Sequence, residues 1–134
     1  MSTEQIIAKK IKKANTTLSW IEPGIAHIEW RQDIDIEIAD IDDLENSFAE
    51  LTQGESDSNR MVKVVSEIGS YVNITPEARS YAAKRSPKLL GLAYVINGLG
   101  QRLVLKFYIR LRKNQNPTRV FVSRKEAVDW LRRL

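Results

Sequence analysis

Between residues 16 and 32 apolar and polar positions alternate, with Leu18 and Trp20 in one run and Ile25 and His27 set against Ala26, Ile28 and Trp30 in the next. Period two is strand spacing and Pro23-Gly24 is a turn pair, so the segment predicts a β-hairpin. Asp33 to Ile38 keeps period two as a short extended segment, after which Ile41, Leu44, Phe48 and Leu51 recur at helical spacing. Asp40 is the expected cap of that helix, with Asp42 and Asp43 complementing the positive end of its dipole, and the helix should stop before Gly54.

The run MVKVVSEI is β-branched and predicts a buried strand. Thr75-Pro76 starts a second helix running to about Lys84, because proline at the first helical position sacrifices no backbone hydrogen bond. Leu89 to Ile96 is apolar at every position but Tyr94 and Gly91, as in a strand covered on both faces. Polar Arg102, Lys106, Arg110 and Lys113 then recur three to four apart in an amphipathic helix, and the loop NQNP ends it. Thr118 to Val122 is a short strand, and Ser123 with Glu126 forms a capping box for a last helix carrying Ala127, Val128, Trp130, Leu131 and Leu134. The predicted fold class is α/β, ordered β-β-α-β-α-β-α-β-α, a mixed sheet with an N-terminal hairpin and right-handed crossovers.

Size and composition fit that outline. The 134 residues, 43% hydrophobic, suffice for one core but not two, so 16–134 is expected to be one domain behind a basic tail or short helix at 1–15. There is no cysteine, which removes disulfides, thiolate nucleophiles and cysteine metal sites. No apolar stretch approaches the ~20 residues of a membrane span or the pattern of a signal peptide, so a cytoplasmic location is expected. The net charge of +4 is unevenly distributed. From Glu22 to Asp57 twelve acids face one base, Arg31, and from Lys84 to Leu134 thirteen bases face two acids, Glu126 and Asp129.

No catalytic, cofactor-binding or metal-binding constellation emerges, and neither enzyme activity nor a cofactor is expected. Asp33, Asp35 and Glu37 share one strand face but lack the glycine and terminal glutamate of a calcium loop, so they read as a solvated edge. His27, the only histidine, reads as a partly exposed strand residue. Asn97-Gly98-Leu99-Gly100 resembles half of a phosphate-binding turn and equally a plain strand-to-helix connection. Arg102, Lys106, Arg110 and Lys113 form a candidate basic interaction face that suits a phosphate backbone, with Arg119, Arg124 and Lys125 near in sequence; the alternative is a solvated helix face. Ile6, Ile7 and Ile11 among lysines suit an anionic membrane surface, or simply a frayed tail.

The segments RMVKVVSEIGSYVNITPEARSYAAKR, LLGLAYVINGLGQRLVLKFYIRLRK and NPTRVFVSRKEAVDWL together resemble a bacterial family of STAS-like domains, related in fold to anti-sigma-factor antagonists. The pattern is a strand ending in an acidic residue, an I-x-x-E-A-R helix start at Ile74 to Arg79, an apolar strand, a long helix, and a closing segment from Pro117 to Leu131. The resemblance covers about residues 16 to 134. It implies a non-enzymatic protein-interaction or regulatory module whose partner is a regulatory protein or a second copy, and through related lipid-binding domains it also implies small apolar ligands. In STAS domains a serine beside an aspartate before the second helix is a phosphorylation switch. Here Asn73 takes the aspartate's place and Ile74 the serine's, so the switch is not inherited; Ser70 and Thr75 are the hydroxyls left in that candidate loop. Nucleic acid or another anion, bound through the basic C-terminal half, is the alternative partner.

Overall fold

The computed structural model describes residues 9–52, 62–85, 89–98, 101–102, 105 and 116–134. The order is β1 (Lys10–Lys12), β2 (Thr16–Glu22), β3 (Ile25–Trp30), β4 (Asp35–Ile36), α1 (Ile38–Leu51), β5 (Lys63–Ile68), β6 (Asn73–Ile74), α2 (Pro76–Lys84), β7 (Gly91–Ile96), β8 (Thr118–Phe121) and α3 (Arg124–Arg132). The chain is an α/β protein with a mixed sheet. Six strands lie side by side in the order β1-β2-β3-β5-β7-β8, antiparallel from β1 to β3 and parallel from β3 to β8.

The hairpin forms where the alternation places it. Gly24 sits at φ +86°, a left-handed conformation natural only to glycine, and this closes the two-residue turn between β2 and β3. Strand β4 lies within the extended segment expected at Asp33 to Ile38, and two short strands, β1 and β6, go beyond the sequence reading. Lys10–Lys12 is neither tail nor helix: its single apolar residue, Ile11, is buried opposite Leu18, and the lysines on either side keep this edge strand soluble. Strand β6 exists through its partner, for it and β4 form a separate parallel pair.

Alternate residues of the sheet divide its core. Leu18, Trp20, Ala26, Ile28 and Val64 face α1 through Leu44, Phe48 and Leu51, whereas Ile25, Val65, Ala93 and Val95 face α3 through Ala127, Val128, Trp130 and Leu131. Leu134, expected in that core, is half exposed because the helix ends at Arg132. A third cluster, Ile36, Ile41, Val72 and Ala78, joins β4 and β6 to α1 and α2.

Asp40 is not the cap of α1. Glu37 is, and Asp40 closes a capping box from inside the helix, accepting the Glu37 backbone N–H at 2.9 Å. The same carboxylate accepts Asn15 Nδ2 at 2.8 Å, so one buried side chain ties the β1–β2 turn to the start of α1. Asp40→Ala is expected to lower stability by about 1–2 kcal/mol in urea denaturation, since it removes a cap and orphans the Asn15 amide. A change below about 0.3 kcal/mol would show that neither bond matters.

The two charged halves of the sequence fold onto each other. Arg132 donates to Glu22 at 3.0 Å, Arg85 to Glu45 at 2.6 Å, and Arg124 lies 3.7 Å from Glu29. Hydrogen bonds from the arginines hold the Glu22 and Glu45 carboxyls below the usual range. Such exposed pairs each contribute little to stability. What they do is place opposite charges from distant parts of the chain side by side.

Candidate functional site

At the carboxyl ends of the parallel strands the neighbouring strands β3 and β5 bend together. Glu29 pairs with Glu67 in the main sheet, and Asp35 pairs with Asn73 in the small one. Both pairs are 38 positions apart (67 − 29 and 73 − 35), and so are Asp33 and Tyr71, the non-glycine residues with left-handed backbone among the described residues, each at φ +58°. The parallel pair thus continues through two matched kinks without losing register, helped by the bond from Asp33 N–H to the Ser70 carbonyl at 3.2 Å. Aspartate tolerates this conformation; tyrosine tolerates it poorly. Even so, the Tyr71 side chain gains no packing from it, for the residue is 77% exposed.

Beside this ledge lies a half-open cleft of about 390 Å³, walled by Glu29, Glu67, Ser70, Asn97, Val122 and Arg124. Crevices outside the carboxyl ends of parallel strands are the usual ligand position in open α/β sheets. Glu29 and His27 lie on the same face of β3, and Glu67 stands beside Glu29 on β5, all on the side covered by α3. Arg124 is the first residue of α3, placed there by its cap: Ser123 Oγ accepts the Glu126 N–H at 3.2 Å.

Glu67 is the centre of this group. It accepts Arg124 Nε at 2.9 Å and Nη2 at 3.4 Å, and its Oε1 lies 3.0 Å from His27 Nε2. A carboxylate only accepts, so Nε2 carries the hydrogen. Burial raises the Glu67 pKa, but the bonds from Arg124 and His27 outweigh burial and hold the carboxyl below its usual range. The same bond to Glu67 raises the Arg124 pKa. His27, expected to be partly exposed, is only 4% exposed, because Glu67 and Arg124 come together beside it.

The candidate residues from the sequence are distributed unevenly around this site. Ser70 is exposed and lines the cleft. Asn73 is exposed within β6, and Thr75 caps α2, accepting the Ala78 N–H at 3.1 Å. Asn97, which the sequence places in a strand-ending turn, lines the cleft too. Of the basic face, Arg102 is helical, half buried, and has a buried Nε without a partner among the described residues. Lys106, Arg110 and Lys113 lie outside the described residues. Among the described residues no group of three or more metal-ligating side chains converges, and no helix is long and apolar enough to cross a membrane.

Glu67 escaped the functional reading of the sequence, with one trace of it there: an acidic residue ending a β-branched strand. Its partnership with His27 and Glu29 depends on the β3–β5 register, and that with Arg124 on a helix 57 residues away. In comparisons with known proteins, residues 19–134 match the family model of a domain of unknown function, DUF7793. No curated protein and no solved structure matches the chain.

Proposed function

The chain belongs to the DUF7793 family, and from there we propose that it is a non-enzymatic protein-interaction module of the STAS type, recognising its partner through the ledge at the ends of β3 and β5. Tyr71 carries this reading. A large aromatic residue in a left-handed conformation, turned into solvent, is costly in the free protein and is the kind of side chain that anchors protein interfaces. Matched kinks, a hydrogen bond across them and the β4–β6 pair hold its backbone in place, so little backbone entropy is left to lose on binding. Ser70, next in the chain, belongs to the loop that in STAS domains faces the partner.

The test separates stability from binding. Tyr71→Gly is expected to raise the unfolding free energy by about 1 kcal/mol, because glycine accepts φ +58° without strain. The same variant is expected to lose its partner. A photo-crosslinking residue at position 71, introduced in the cells that naturally make the protein, should join a specific second protein. The same residue at Glu50, exposed on α1, should not. Equal labelling from both positions, or none from position 71, would sink the reading.

A further inference from the structure

The cleft beside Tyr71 has an unbalanced charge chemistry. Among the described residues its walls carry Glu29 and Glu67 against one base, Arg124. Glu67 is occupied, with two bonds from Arg124 and one from His27. Glu29 is different: the nitrogens nearest to it among the described residues, Arg124 Nη2 at 3.7 Å and His27 Nδ1 at 3.6 Å, stop short of hydrogen bonding. The Glu29 side chain is 51% exposed at the cleft wall. A carboxylate has about four acceptor positions, so Glu29 retains most of its capacity. Ser70, Asn97 and Gln32 add neutral hydroxyl and amide groups around it.

We propose that this cleft receives the arginine or lysine side chain of a partner protein, with Glu29 as its principal acceptor. The proposal rests on the reading of the ledge as a protein-binding surface and adds the chemistry of the partner. A cation fits because the lining, among the described residues, has a net negative charge and its most open acceptor is a carboxylate. A metal ion fits poorly, since no group of three or more metal-ligating side chains converges among the described residues. A protein side chain fits better than a free small molecule because the cleft is polar and half open, whereas small-molecule pockets enclose most of their ligand in apolar walls. The internal pair shows the geometry: Arg124 already forks onto Glu67. Arg124 also repels an incoming base, so the resident arginine weakens the binding that the glutamates favour.

The full-length, nitrogen-15-labelled chain is titrated by NMR with the capped tripeptide acetyl-Gly-Arg-Gly-amide, and with acetyl-Gly-Gln-Gly-amide as its neutral control. The arginine peptide should give saturable shifts at the amides of Glu29, Glu67, Ser70 and Asn97; the control should not. Glu29→Gln should weaken binding about tenfold, the loss of one charge-assisted bond. Arg124→Met should tighten it about threefold by removing the repulsion, a gain that a merely structural role would not produce. Equal shifts from both peptides, or arginine-peptide shifts that ignore both variants, overturn the proposal. So does a dimer in sedimentation that Glu29→Gln abolishes, for the base would then come from a second copy. Crosslinking at position 71 without peptide binding defeats this proposal alone. Peptide binding without crosslinking defeats the Tyr71 reading alone, leaving the cation site.

Discussion

Leu131→Ala is expected to lower the unfolding free energy by about 3 kcal/mol. Leu131 is fully buried among Val65, Ala93 and Val95. It also presses on the backbone of β7, since a side chain at Gly91 would begin only 2.9 Å from Leu131 Cδ2. A glycine there lets the helix approach closely, and that intimacy makes the site unable to collapse around a truncated leucine. Urea denaturation should show a lower midpoint at unchanged slope. A loss under about 1 kcal/mol would mean that α3 is not seated on β7 in this way. Because Arg124 begins the same helix, the variant should also loosen its fork on Glu67.

Glu67→Leu is expected to cost about 2–3 kcal/mol, and most of this comes from His27. The Arg124 arm is half exposed, so losing it matters little. The His27 arm is buried, and its Nε2–H would be left facing an apolar side chain. The effect should depend on pH. Glu67 has a folded-state pKa below its unfolded value, so it stabilises the native protein fully above the unfolded glutamate value of about 4.3. That contribution disappears as pH falls through the lower folded value. The stability gap between wild type and Glu67→Gln should therefore be constant near neutrality and narrow below about pH 4. A gap that persists unchanged to pH 2 would show that the carboxylate charge plays no part.

Local rules account for much of the fold's legibility. Pro23-Gly24 marks its turn, Thr75-Pro76 and Ser123 mark helix starts, and the apolar run ending at Ile96 marks a strand buried on both faces, because each depends on neighbours within a few residues. Asp40 was misplaced by three residues because Glu37 is an uncommon cap, and the box reads equally well from either end. Strand β1 was hidden by its lysines: three residues with one apolar position have no period to read. Strand β4 lies in a segment whose alternation is visible, but β6 holds only two residues, too few to declare itself except through the pairing that makes it.

The cleft was the least legible feature. Its members come from positions 29, 67, 70, 97 and 124, joined only by parallel pairing and by the return of α3. His27 illustrates the difficulty. Alternation assigned it to a face correctly, but its burial depends on Glu67 and Arg124, forty and ninety-seven positions further on (67 − 27 and 124 − 27). The charge division was plain from the sequence. That it is partly closed within one molecule, by the pairs of Glu22 with Arg132 and Glu45 with Arg85, was not.

The strand order of the main sheet rises steadily along the chain, from β1 at one edge to β8 at the other. Among the described strands, none has to be threaded between two that precede it in sequence. Each newly made strand therefore meets a ready template along one open border, so the sheet can be assembled in the direction in which a ribosome delivers it. Helix α3, on the far face, follows all of these strands and acts as a latch on a finished sheet.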